Sequence, residues 1–183
     1  MAYKTINPAT NVTEKTYEEI LDQELNTRIG LATQAFYTWS KTTHAFRRQI
    51  FNQAAAIIER DKNFHAGLIS REMGKPISQS VTEVEKCVLA CRYYAENAES
   101  QLQPQIRPSS AVRSTVSFEP QGIIYAIMPW NFPYWQVFRY LVPTIISGNV
   151  GLLKHSSNVP QCAEAIEKVM SEAGLPKGVF QNL

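Results

Sequence analysis

Two short stretches carry most of the side chains able to do chemistry. The first, IMPWNFPYWQVFRY (residues 127–140), sets one amide, Asn131, between two large aromatics, Trp130 and Phe132, and two prolines, Pro129 and Pro133. An amide in such a place either closes a turn or meets a ligand. Phe132, Gln136 and Arg139 follow at i, i+4 and i+7, one face of a helix. A guanidinium there suits a carboxylate, because it makes a bidentate fork and stays charged when partly buried. A surface or ion-paired arginine has the same spacing. The second stretch, VGLLKHSS (150–157), ends in Lys154, Ser156 and Ser157. If both loops face one crevice, they offer an aromatic, an amide, a lysine and two hydroxyls, a set suited to a nucleotide's ribose and phosphates. His155 in the same loop reads as a packing residue rather than an acid or base. Neither G-x-G-x-x-G nor G-x-x-x-x-G-K-[ST] occurs, so the usual glycine-rich phosphate grips are absent from the sequence.

The elements that must position these loops follow from periodicity and turn signals. GIIYAI from Gly122 is a continuous apolar run of buried-strand length, and Pro129 ends it. A helix is expected over 135–146, with Pro133 suited to its first turn. A second buried strand over 150–153, a helix over 160–173 and a strand over 179–183 follow. Strand, helix, strand, helix, strand is the pattern of a doubly wound parallel sheet, in which ligands bind beyond the carboxyl ends of the strands. The sequence stops inside that pattern, so it is expected to be the front part of a larger protein.

Upstream lies a helical layer. A hairpin or two short strands around Asn7-Pro8-Ala9-Thr10 come first. Thr16 and Glu19 fit a capping box for a helix over about 18–38, with Ile20 or Leu21, Leu25, Ile29, Ala32 and Phe36 at helical spacing. Further helices are expected over 43–60, over 61–73 with Gly74-Lys75-Pro76 as the stop, and from Ser78 or Ser80 to about 100. Residues 103–110 read as a linker, and AVRSTVSF (111–118) alternates like a half-exposed strand with Val112, Ser114, Val116 and Phe118 on one side. The domain division expected is 1–102 for the hairpin and helical part, 103–121 for linker and strand, and 122–183 for the sheet.

Composition narrows the function classes. The 183 residues are 44% hydrophobic and 19% charged with a formal net charge of +2, which gives no reason to expect nucleic acid or a membrane as partner. No apolar run reaches spanning length, and MAYKTINPAT lacks the basic and apolar regions of a signal peptide, so a cytoplasmic protein is expected. The Asn11-Val12-Thr13 sequon matters only in a secreted protein. Three cysteines do not make a disulfide framework. Cys87 and Cys91 share a helical face, but without histidines at ligand spacing they read as small buried residues rather than half a metal site.

GIIYAIMPWNFPYWQ followed by SGNVGLLKHSSNVP resembles the cofactor-binding segment of the NAD(P)-dependent aldehyde dehydrogenase superfamily. Ile6-Asn-Pro-Ala-Thr10, Arg71-Glu-Met-Gly-Lys-Pro76 and Ala173-Gly-Leu-Pro-Lys-Gly-Val-Phe180 match in the family's order. Met-Pro-Trp-Asn-Phe-Pro-x-Trp-Gln-Val-x-Arg and Leu-Leu-Lys-His are most similar to succinate-semialdehyde dehydrogenases. The resemblance implies an oxidoreductase of helical and doubly wound α/β architecture, homo-oligomeric when full length, taking a small aldehyde and NADP or NAD. It implies that the backbone of Ile127, Met128, Pro129 and Trp130 lines the nicotinamide-ribose end. Asn131 would donate its N–H to the aldehyde oxygen, and Lys154 would grip the adenosine ribose hydroxyls. Phe132, Gln136 and Arg139 would line the substrate tunnel, Arg139 meeting the substrate carboxylate. Many NAD-preferring members carry a glutamate three residues past the lysine; here that position is Ser157, which leaves room for a 2′-phosphate. The family's catalytic cysteine and glutamate base fall past residue 183. The chain alone is therefore expected to be inactive, or else a nonenzymatic product that docks on full-length subunits.

Overall fold

The computed structural model describes residues 3–183. Strands β1 (Tyr3–Asn7) and β2 (Val12–Tyr17) pair antiparallel. Asn7 closes their turn by accepting the Ala9 N–H on its side chain, and Asn11 takes the left-handed conformation that asparagine tolerates. Thr16 sits in β2 opposite Lys4, which overturns the expected capping box. Helix α1 (Asp22–Trp39) starts later, with no side-chain cap. Its buried face is Ala32, Ala35 and Trp39, while Ile29 is exposed; the β-hairpin takes up Thr16, the expected cap, and residues 18–21 lie between the two elements.

Helices α2 (His44–Arg60), α3 (Lys62–Met73) and α4 (Ile77–Gln101) form the layer expected. Thr43 caps α2 by accepting the Phe46 N–H, and Gly74 ends α3 at φ 74°, a conformation glycine adopts without a Cβ penalty. α4 begins straight after Pro76 rather than at a serine cap. The alternating segment 111–118 is a correction. Only Thr115–Val116 (β4) pairs, with Gln105–Ile106 (β3), and Val112, Val116 and Phe118 all stay exposed. Alternation without a surface to bury one face gives no long ladder.

The sheet is β5 (Ile123–Met128), β6 (Val150–His155) and β7 (Phe180–Asn182), parallel and in chain order. α5 (Trp135–Ile146) and α6 (Pro160–Glu172) make the crossovers. Successive residues face opposite sides of a strand. Gly151 faces α5, where an added Cβ would lie 2.8 Å from the Tyr140 hydroxyl, itself donating to the Ile124 carbonyl at 2.6 Å. Glycine at 151 gives Tyr140 that room. On the other face Gln181, paired with Leu152, donates to the Arg28 carbonyl of α1. α5 runs through Pro143, whose missing N–H costs one helical bond, because Val137, Phe138, Leu141, Val142 and Ile145 are buried on either side of it.

The helical layer and the sheet share one core. Trp39 donates to the Ile145 carbonyl at 2.9 Å, and the buried Arg47 guanidinium bonds the carbonyls of Trp39, Ser40 and Ile146. β5 departs from the expectation of a buried strand, since Tyr125 and Ile127 are 54% and 71% exposed. They lie on the α1 side of the sheet, which α1 covers only in part, and Tyr125 lines a cleft there with Leu25 and Arg28. Among the described residues, no helix is long and apolar enough to cross a membrane.

Candidate functional site

The two chemistry-bearing loops stand together at the carboxyl ends of β5 and β6. Ile127 pairs with Lys154 and Met128 with His155, the last two rungs of that ladder. Pro129 cannot donate to a further rung, and the chain leaves the sheet there. Trp130, Asn131 and Phe132 are exposed, whereas Pro133 and Tyr134 are buried. The Gln136 N–H bonds the Phe132 carbonyl at 2.9 Å, which puts Pro133 in the first turn, as expected. Gln136 is half-buried and Arg139 exposed on the helix that follows. Among the described residues, the side-chain amide of Asn131 makes no hydrogen bond, so it does not close this turn.

His155 fastens one loop to the other. Its Nε2 lies 2.9 Å from the Pro133 carbonyl, which can only accept, while its Nδ1 accepts the Ser156 N–H at 2.8 Å. These partners fix the neutral Nε2–H tautomer. Burial lowers its pKa, opposed by the bond to Pro133. His155 is a packing and bonding residue, as its loop position suggested.

Two carboxylates from the helical layer complete the local structure, and sequence reasoning missed both. Glu83 of α4 accepts the Tyr134 and Trp135 N–H groups at 2.9 and 3.0 Å on one oxygen, and its other oxygen meets Lys75. Lys75 Nζ also stands 3.7 Å from the centre of the Phe132 ring. Glu72 of α3 does the equivalent for α6, accepting from Gln161 and Cys162 at 2.8 Å each, and from the Thr5 hydroxyl. Burial pushes the Glu72 carboxyl up, against these bonds. Both glutamates lie on the buried stripes of their helices, beside His65, Leu68 and Ile69 in α3 and Ser80, Val84 and Cys87 in α4. A charged residue at a core position was the signal available.

Lys154 and Ser157 line a cleft of about 480 Å³ with Tyr125, Arg28 and Ser156. The cleft is more acidic than the loops suggested, because Glu18, Glu24, Glu164 and Glu167 also line it. Arg28 is held by Glu24 at 2.7 Å, and Lys15, outside the cleft, holds Glu164 at 2.8 Å. Lys154 stands 5.7 Å from the Tyr3 ring and, among the described residues, has no carboxylate partner. A helix N-terminus is a ready anion site, but those of α5 and α6 are already filled by Glu83 and Glu72. The donors here therefore fit the ribose part of a dinucleotide rather than its pyrophosphate. Met128, Pro129 and Trp130 form the elbow outside this cleft, together with Asn131, Phe132, Gln136 and Arg139. Cys87, Cys91 and Cys162 are all buried, and burial pushes each thiol up. Among the described residues, no group of histidines, cysteines and carboxylates is arranged to hold a metal ion.

A model of the aldehyde dehydrogenase family matches residues 1–183, from one end of the chain to the other. The chain belongs to the aldehyde dehydrogenase family. It is 46% identical over 183 residues to a probable succinate-semialdehyde dehydrogenase [NADP(+)] of Synechocystis sp., and 40% identical over 186 residues to succinate-semialdehyde dehydrogenase [NADP(+)] 1 of Mycobacterium bovis. The whole chain takes part in both matches but spans only 40% and 41% of those aldehyde dehydrogenases. Its fold superposes on the crystal structure of succinic semialdehyde dehydrogenase from Streptococcus pyogenes in complex with NADP+ with a TM-score of 0.96 at 33% identity, covering 99% of this chain and 40% of that one.

Proposed function

We propose that the full-length protein oxidises succinate semialdehyde, or a similar short aldehyde, to its carboxylic acid. NADP or NAD, when bound, would supply the hydride acceptor. One observation carries this reading: the exposed amide of Asn131 and the exposed guanidinium of Arg139 belong to one elbow-and-helix unit, two turns apart. Asn131 donates to the oxygen that gains negative charge as the carbonyl is attacked. Arg139 takes the far carboxylate, and Phe132 and Gln136 line the path between them. The backbone of Ile127, Met128, Pro129 and Trp130 lines the nicotinamide-ribose end. Lys154 holds the adenosine ribose hydroxyls, with Ser157 beside it in place of a charge that would repel a 2′-phosphate. The three buried thiols are unsuited to attack, so the 183-residue chain alone is inactive. The apolar side chains exposed on the β3–β4 ribbon, Ile106 and Val116, and Phe118 just after it, support a homo-oligomer of the full-length protein. They also support a second reading, in which this chain docks on full-length subunits without activity of its own.

The test is Arg139→Ala in the full-length protein. Losing a charge-assisted bidentate contact costs about 2–3 kcal/mol, so KM for succinate semialdehyde rises roughly 30- to 160-fold while KM for an uncharged aldehyde of similar length barely moves. Equal effects on both aldehydes would refute the carboxylate role.

A further inference from the structure

We propose that Glu83 is a positioning residue for the Asn131 elbow, acting across the boundary between the helical layer and the sheet. The inference rests on the reading of Asn131 as oxyanion donor only for its catalytic consequence; the structural coupling stands separately.

The first turn of α5 cannot cap itself. Tyr134 at the cap position makes no side-chain cap, Pro133 has no N–H, and the Tyr134 amide lies in the buried interior with its side chain. An unpaired buried amide is costly, and its acceptor has to come from another element. Glu83, 51 residues upstream of Tyr134, supplies one oxygen to two amides. A buried carboxylate needs a counter-charge, and Lys75 provides it from the turn before α4. The same ammonium lies against Phe132, whose ring it attracts through the aromatic face.

The residues on the C-terminal side of Asn131 are therefore held at three places: the Phe132 ring by Lys75, the Pro133 carbonyl by His155, and the Tyr134 and Trp135 amides by Glu83. On the N-terminal side the backbone is fixed by the β5–β6 ladder up to Met128. Asn131 is free of hydrogen bonds of its own among the described residues, so its direction is set by these neighbours. Glu72 gives an internal comparison. It also accepts two successive amides at a helix start, one on each oxygen, but reaches only Thr5, Gln161 and Cys162. A cap that serves stability alone should behave like Glu72.

The experiment compares Glu83→Gln with Glu72→Gln, each keeping a neutral acceptor, by ¹⁵N–¹H spectra of the 183-residue chain. In Glu83→Gln the Asn131 side-chain amide and the Phe132 and Trp135 backbone amides shift beyond their linewidths, while Glu72→Gln moves Gln161 and Cys162 and leaves Asn131 in place. Lys75→Gln, which leaves the Glu83 carboxylate intact, shifts Asn131 as well and carries the test if Glu83→Gln does not fold. In the full-length protein Glu83→Gln lowers kcat about 10- to 100-fold with little change in KM, because a small misplacement of a reacting group is enough for that. Asn131 signals unmoved while those of Tyr134 and Trp135 shift, or moved equally by Glu72→Gln, would overturn the proposal. An unchanged kcat in Asn131→Ala would instead remove the oxyanion reading and leave the spectral result standing.

Discussion

His155 donates its Nε2–H to the carbonyl of Pro133 at 2.9 Å, and that bond joins the lysine loop at the end of β6 to the elbow at the end of β5. Lys154 and Asn131 thus belong to one braced surface, although 23 residues separate them in the chain. A buried carbonyl that loses its donor costs roughly 1–3 kcal/mol. His155→Ala should therefore lower the unfolding free energy of the chain by about that amount, measured by urea denaturation. His155→Gln, which can still present an N–H, should recover part of it. No loss in the alanine variant would mean that water replaces the bond.

Acid should weaken the fold through His65. Its Nδ1 meets the Tyr134 hydroxyl at 2.8 Å, and burial lowers its pKa to about 4. The unfolded chain takes up this proton near pH 6.5, before the folded chain does. The contribution is thus whole above about pH 6.5 and is lost as pH falls towards 4, amounting to about 3 kcal/mol over the window. His155, also lowered, acts in the same direction, while Glu72 and Glu167, both raised by burial, act against it. Urea midpoints at pH 7.5 and 5.0 should differ less in His65→Gln than in the parent chain. An equal difference in both would exclude His65 as the source.

The sheet and its helices were legible because their signals are local. Glycine and proline mark the ends of α3 and β5, and the stripe of α5 is apolar enough to override Pro143. The start of α1 was misread because Thr16 and Glu19 satisfy a cap pattern that pairing with β1 supersedes. Pairing partners are distant or tertiary facts, which a capping pattern does not contain. The same holds for Glu83 and Glu72. Each is visible in sequence as a charge on an apolar stripe, but the amides they serve lie 51 and 89 residues away. Exposure at Tyr125 and Ile127 was equally hidden, since an apolar run has the same composition whether one face of the strand is covered or both.

Cofactor choice should turn on Ser157, which is exposed at the cleft holding Lys154. In the full-length protein Ser157→Glu should shift the ratio of kcat/KM values from NADP towards NAD by at least about tenfold, because a carboxylate facing a 2′-phosphate is repelled. The shift should shrink at high ionic strength, as expected of a solvent-exposed charge pair. A ratio unmoved by the glutamate would place the 2′-position away from this loop.

The elbow after β5 is proposed to present Asn131 to a carbonyl oxygen that becomes negative during reaction. The most direct measurement is kcat and KM for succinate semialdehyde in the full-length protein and its Asn131→Ala variant. Removing one preorganised oxyanion donor costs about 3 kcal/mol of barrier, so kcat should fall roughly 100- to 1000-fold with KM nearly unchanged. A kcat within a factor of a few of the parent would mean that Asn131 is not the oxyanion donor.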